Sequence, residues 1–268
     1  MEALRQKART LLEAGTVKVV IGYGSGSAPD RVRPLFVRKP EHAQNLIFDK
    51  HCRLNLATYL FKPEVKALGK PAIVARPATL RTILQFAVEN QLADEAVLAL
   101  AVSEQGELTE LPKFAAIEEH LAKLPRGLTA EERAEIEKLS QLSLADRRAF
   151  WQKETSRCIK CYACRAACPL CYCTRCIVEV NQPQWIPVAS DPFGNLEWNV
   201  VRAMHLAGRC VNCGSCADAC PEGIRIDLLN HVLAQEALTQ FSAEAGYSTR
   251  KDYALATFKP EDKEEFIR

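Results

Sequence analysis

The spacing of its cysteines constrains this chain more than any other feature. Cys158, Cys161, Cys164 and Cys168 stand as C-x2-C-x2-C-x3-C before Pro169, and Cys210, Cys213, Cys216 and Cys220 repeat that spacing before Pro221. In such a pair of runs, three cysteines of each hold one 4Fe-4S cluster and the fourth, released by its proline, reaches the other cluster. The rule assigns Cys158, Cys161, Cys164 and Cys220 to one cluster, and Cys210, Cys213, Cys216 and Cys168 to a second. Structural zinc also uses C-x2-C pairs, but it needs two pairs and four ligands, not two quartets each followed by proline.

The chain has twelve cysteines, so four remain. Cys171, Cys173 and Cys176 form C-x-C-x2-C directly after the first quartet, and Cys52 lies far upstream in "FDKHCRLNLATYL". Twelve divides into three sets of four. A third 4Fe-4S cluster on Cys52, Cys171, Cys173 and Cys176, bridging two domains, is therefore an expectation. The alternatives are a buried apolar role for Cys52 and packed thiols or a zinc site for the other three.

Charge and hydropathy limit the surroundings of such a protein. Thirty-five basic against 33 acidic residues leave a formal charge of +2, which offers no general attraction to polyanions and argues against a nucleic-acid partner. "MEALRQKARTLLEAG" reads as a charged amphipathic helix with no apolar core or cleavage site of a signal peptide. The apolar run "AVLALAV" at 96–102 is too short to cross a bilayer, so no direct membrane insertion is expected. The expected location is cytoplasmic, where thiols stay reduced and clustered cysteines mean metal rather than disulfides.

The expected fold class is α+β: an N-terminal α/β domain, then a two-cluster ferredoxin domain with an inserted helix. Residues 1–125 alternate between strand and helix patterns. Strands are expected at 17–23, 34–39, 71–75 and 95–102, with helices over 40–61 and 77–91, the latter opening with proline. Residues 126–157 read as a charged helical connector spacing the two domains, with a capping signal at Thr129 and Glu132. Residues 158–230 form the dicluster domain. Residues 231–268 are expected as a helix to about Ala245 and an extended, charged tail that docks a partner. Between the quartets, Asn195 is expected to cap a helix on which Leu196, Val200 and Met204 share a face and which Gly208 ends, while Trp185 and Trp198 shield clusters from water.

Weaker motifs read as ordinary structure. "GYGSGS" at 22–27 follows a strand but lacks the full dinucleotide fingerprint, so a turn is preferred over a phosphate cradle. His51 reads as a polar surface residue, and Arg31, Arg33 and Arg38 as a solvated face. No nucleophile with its base is recognisable.

The segments "RCIKCYACRAACPLCYCTRC", "LAGRCVNCGSCADACPEGIRIDLLN", "HCRLNLATYL" and "KPAIVARPATLRTILQFAVENQL" together resemble the beta-subunit family of deazaflavin-dependent hydrogenases and formate dehydrogenases. They look most like its dicluster 4Fe-4S members, associated with heterodisulfide-reductase-like electron-transfer complexes of anaerobes. The resemblance implies an electron-relay subunit. Its implied partners are a flavoprotein, hydrogenase, formate dehydrogenase, methylenetetrahydrofolate reductase or heterodisulfide-reductase-like subunit. Flavin-binding members commonly have cysteine after the proline of the segment "KPAIVARPATLR", where this chain has Ala78. A family-type cluster is not expected there, and FAD, though admitted as a cofactor, has no support in the sequence. The expected function is single-electron relay between partner redox subunits. The alternative is a flavin- or deazaflavin-bearing subunit that splits hydride electrons onto its own clusters.

Overall fold

Three apolar runs of the first region, too hydrophobic to face water, become the core of one five-stranded sheet. The computed structural model describes residues 1–103, 105–179 and 183–251. Helix α1 (Glu2–Glu13) precedes strands β1 (Val19–Ser25) and β2 (Val32–Val37), which form an antiparallel pair with Val20 opposite Val37. A short helix α2 (Pro63–Lys66) leads to β3 (Pro71–Ala75), α3 (Pro77–Val88) and β4 (Leu98–Val102). Strand β5 (Leu108–Leu111), not expected from the sequence, closes the far edge. The sheet order is β2-β1-β3-β4-β5, parallel at β1-β3-β4 and antiparallel at both edges. Every residue of β4 and all but the first of β3 are buried, as expected of parallel strands covered on both faces.

Helix α3 explains why the first region and the cysteine-rich region share one core. Pro77 sits in its first turn, where no N–H is missed. From Thr79 to Val88 every residue is buried, because the helix lies between the sheet and the cysteine loops. Leu170, Leu206 and Val211 of the cysteine-rich region pack into the same apolar core as the sheet. Arg81 reaches across, donating to the carbonyls of Ala245 (3.1 and 2.9 Å) and Val211 (3.0 Å).

The helix expected over 40–61 does not form. Two 3-10 turns, Pro40–Asn45 and Leu56–Tyr59, flank an irregular segment. Local polar bonds compete there with helix formation. Ile47 N–H donates to the Tyr23 carbonyl, Tyr23 donates its hydroxyl proton to Leu54 O (2.6 Å), Asp49 accepts from the His51 amide, and the Asn55 side chain accepts from Ala57 N–H. Gly22 and Gly24 lie inside β1, and the turn follows only at Gly26, whose N–H bonds Arg31 O. Gly22 has a packing reason: a Cβ there would overlap the Leu46 Cδ2 methyl.

After α4 (Phe114–Ala122), the connector consists of α5 (Ala130–Ser140) and α6 (Leu144–Ser156). The capping box of Thr129 and Glu132 is complete, and Ser143 caps α6 by accepting from Asp146 N–H. These helices lie against the cysteine-rich region rather than spacing it from the sheet. A one-turn α7 (Ala163–Ala167) follows the first cysteine loop, and α6 packs on α8 (Pro192–Met204). A second one-turn helix, α9 (Ser215–Asp218), follows the second loop, and α5 packs on α10 (Ile226–Phe241). Helix α10 thus starts five residues before the expected 231 and ends four before Ala245, with Ser242 turning left-handed at φ 52°. The docking-arm reading of the tail falls mostly on residues 252–268, outside the described residues.

Asp191, not Asn195, caps α8, accepting from the amides of Phe193 and Gly194. Asn195 lies one turn in, where its side-chain amide donates to Cys158 O (2.7 Å). Leu196, Val200 and Met204 do share a face, but it points outward, with Val200 and Met204 exposed. The face turned inward carries Asn195, Trp198, Asn199 and Arg202. Trp198 is buried and Trp185 is half-exposed, so only Trp198 occupies a shielding position.

Candidate iron–sulfur centres

The two cysteine loops are built alike from the backbone upward. Lys160 and Asn212, each two residues after the first cysteine of its run, adopt left-handed φ of 51° and 55°. Tyr162 and Gly214, each two residues further on, do so at 59° and 71°. Such geometry is easy for glycine, tolerated by asparagine and strained for lysine and tyrosine, where it persists because the surroundings demand it. Here it curls the chain so that the Lys160 amide points at Cys158 Sγ and the Asn212 amide at Cys210 Sγ, both at 3.4 Å. The Ile224 amide likewise points at Cys220 Sγ (3.4 Å). Amides aimed at sulfur favour its anionic form and tune a cluster held there. The cysteine spacing marks the loops. Only aligning the two runs residue by residue would have marked Lys160 and Asn212 as their matching left-handed positions.

The side chains then gather around two small clefts. Cys158, Cys161, Cys164 and Cys220 line one, together with Trp198, Ile224 and Ile226. Cys168, Cys210, Cys213 and Cys216 line the other, together with Leu170, Leu206 and Val211. The fourth cysteine of each run sits with the first three of the other. Among the described residues no three His, Cys, Asp or Glu side chains are grouped as a single metal ion requires. Four cysteine sulfurs around each cleft, with backbone amides pointing at Cys158, Cys210 and Cys220, suit a cube of iron and sulfide. The residues present therefore fit 4Fe-4S clusters. Burial holds the thiols protonated, pushing Cys164 up to about 11 and Cys210 to about 12, so metal binding must release protons.

The surplus cysteines occupy separate surroundings. Cys171 lies beside Cys168, in a shared hydrogen bond that lowers Cys171 and raises Cys168. Cys176 packs in a small apolar cluster with Val178, Ile186 and Trp198, on the Cys164 side. Cys173 is exposed, with its carbonyl accepting from Arg165 (2.8 Å). Cys52 is fully buried in the main core, its sulfur accepting the Asp49 amide at 3.3 Å, and burial pushes its thiol up to about 11. Among the described residues these four are spread over several environments rather than gathered in one. His51 donates its amide to Asp49, and the Arg31, Arg33 and Arg38 side of the hairpin is largely exposed.

A polar clamp, not legible in the sequence, fastens the loops to α3. Glu89 accepts from Arg209 Nε (2.7 Å) and Nη2 (2.6 Å), from the Tyr172 hydroxyl (2.6 Å) and from Gln85 (2.8 Å). Tyr172 stacks edge-on with Phe61 and Phe86. Asn55 N–H donates to Ser215 Oγ (3.0 Å), and Thr58 donates to Ala166 O (3.1 Å), adding two further links between the regions.

Residues 157–225 match the family model of the 4Fe-4S dicluster domain. The chain is 40% identical over 81 residues to the F420-dependent formate dehydrogenase subunit beta of Methanocaldococcus jannaschii, a match spanning 30% of this chain and 21% of that protein. It is 33% identical over 57 residues to the F420-dependent formate dehydrogenase 1 subunit beta of Methanococcus maripaludis, spanning 21% of this chain and 14% of that one. The match thus covers about a fifth or less of each relative's length. No helix among the described residues is long and apolar enough to cross a membrane. The chain joins an N-terminal α/β region to a 4Fe-4S dicluster domain, and it is a homologue, over part of its length, of the beta subunits of F420-dependent formate dehydrogenases.

Proposed function

We propose that this chain is an electron-transfer subunit relaying single electrons between partner redox subunits of an oxidoreductase complex. The observation that carries the reading is the exchange of fourth cysteines between two clefts inside the stretch that matches the dicluster domain. Cys158, Cys161, Cys164 and Cys220 would hold one cluster, and Cys210, Cys213, Cys216 and Cys168 the other. When bound, such clusters supply reversible one-electron oxidation and reduction at potentials set by hydrogen bonds, charge and exposure.

The chain's own residues supply placement and shielding. Trp198, Ile224 and Ile226 exclude water from the first site, and Leu170, Leu206 and Val211 from the second. Cys161 and the neighbouring Ile159 are exposed, so the first site comes nearest to a docked partner there. The complex would work in a reducing cytoplasm, with a flavin- or deazaflavin-bearing, hydrogenase-like or formate-dehydrogenase-like subunit as partner. The formate dehydrogenase names of the relatives support that class. The α/β region acts as the scaffold that α3 and Glu89 lock to the loops. Gly22 and Gly24 are strand residues, so this scaffold reading does not rest on a phosphate loop.

A third cluster on Cys52, Cys171, Cys173 and Cys176 has the cysteine count in its favour, and its test is the same as for the first two. Iron and sulfide analysis of anaerobically purified protein should give about eight of each per chain and visible absorbance that bleaches reversibly with dithionite. About twelve would assign a third cluster to Cys52, Cys171, Cys173 and Cys176. Iron-free protein, or zinc in its place, would remove the electron-transfer reading.

A further inference from the structure

Arg202 is a deeply buried charged residue beside the cysteine loops. It lies on the inward face of α8 and is 3% exposed. Its Nη2 donates to Cys164 O (3.0 Å), and its guanidinium carbon lies 6.0 Å from the Trp198 ring centroid. Among the described residues its Nε–H and Nη1–H groups meet no oxygen or nitrogen acceptor, its side chain hydrogen-bonds the Cys171 thiol, and no carboxylate forms an ion pair with it. A buried guanidinium with unused donors is costly unless something anionic or hydrogen-bonding completes it. The groups within its electrostatic reach are cysteine sulfurs: first the surplus Cys171, then Cys168 and Cys164 of the first run and Cys216 of the second. Burial alone would weaken its charge, but those sulfurs more than offset this and strengthen it. The helix inserted between the two cysteine runs thus places one buried cation within reach of cysteines of both sites.

We infer that Arg202 is a positioning residue that stabilises the reduced state of both iron–sulfur sites, its guanidinium N–H groups donating to cluster or cysteine sulfur. This deepens the proposed function and rests on its ligand assignment. One-electron reduction, by a partner or by dithionite, adds one negative charge to sites that are already anionic. A cation held in a poorly screened interior favours that added charge more than it favours the oxidised state. Since the guanidinium lies near cysteines of both quartets, both couples should feel it.

The test uses the full chain purified anaerobically, with iron content measured first. Wild type without iron would end the dicluster reading itself, independently of Arg202. With about eight irons retained, spectroelectrochemical titration of R202M should show both couples moved to lower potential. The ratio of reduced to oxidised cluster at a fixed ambient potential should fall about tenfold, which is 59 mV for a one-electron couple. R202K, which keeps the charge, should stay within about threefold of wild type. Unchanged couples in an iron-replete R202M would overturn the inference. A second measurement on the wild type does not depend on the variants folding: pulsed EPR of the reduced protein carrying guanidino-15N arginine. Nitrogen coupling to the reduced clusters that disappears in R202K is the expected result. No coupling in wild type, or coupling that persists in R202K, would contradict it.

Discussion

Glu89, at the end of α3, receives two N–H groups of Arg209, at 2.7 and 2.6 Å, one residue before the first cysteine of the second run. The same carboxylate accepts the Tyr172 hydroxyl from between Cys171 and Cys173. One side chain of the α/β region thus holds both cysteine segments. Burial pushes the Glu89 carboxyl up, but the Arg209 and Tyr172 hydrogen bonds outweigh it and hold the group below its ordinary value of 4.5. A carboxylate depressed in the folded state stabilises the protein above its ordinary value, and that contribution is lost as pH falls through the depressed value. Glu89→Gln should cost about 1.5–3 kcal/mol at neutral pH, as loss of charged hydrogen bonds does. The difference from wild type should stay constant above about pH 5 and shrink at lower pH. Anaerobic urea unfolding of both proteins as a function of pH checks this.

Trp198 lines the first cleft and packs edge-on against Tyr162, with ring centroids 5.4 Å apart. Trp198→Ala should admit water and oxygen to that site alone. Exposure to air should then bleach about half of the cluster absorbance several-fold faster than in wild type, with the other half unchanged. Uniform bleaching of both halves would show that Trp198 does not shield one site selectively.

Cys52 has the surroundings of a core residue, buried with its sulfur on the Asp49 amide. Cys52→Ser should leave about eight irons per chain and lower stability by about 1–3 kcal/mol, the cost of a poorly satisfied buried hydroxyl. Loss of about four irons from a protein that held about twelve would instead make Cys52 a ligand.

Gly22 separates the packing reading of "GYGSGS" from a phosphate cradle. Alanine there would press on Leu46 Cδ2 and lie 3.1 Å from Val74 Cγ2. Gly22→Ala should destabilise the protein by about 1–3 kcal/mol through overpacking, read as a lower midpoint of thermal unfolding with cluster content retained.

The parts of this fold that were legible in the sequence are those fixed by local chemistry. β3 was expected at 71–75 and found there, because a short apolar run before Pro77 has few other options. Thr129 and Glu132 announced their capping box three residues apart. The crossing of Cys168 and Cys220 between clefts followed from spacing and proline. What escaped depends on contacts distant in sequence. The segment 40–61 has the composition of a helix, yet Tyr23 and Ser215 draw its polar groups into irregular structure. Residues Leu196, Val200 and Met204 have the spacing of a buried stripe, but the helix turns its polar face inward, where Asn195 meets Cys158 O and Arg202 meets Cys164 O. Neither Arg202 nor Glu89 carries a local signal, since each acquires its role from residues tens of positions away.

The most direct test of the central claim, two neighbouring clusters locked together by exchanged cysteines, is EPR of the dithionite-reduced protein with spin integration. The expected result is about two spins per chain with the splitting of two nearby, magnetically interacting 4Fe-4S clusters, and loss of that splitting when Cys220 is replaced by Ser. An integrated intensity of one spin without splitting, or no signal from an iron-containing protein, would contradict it.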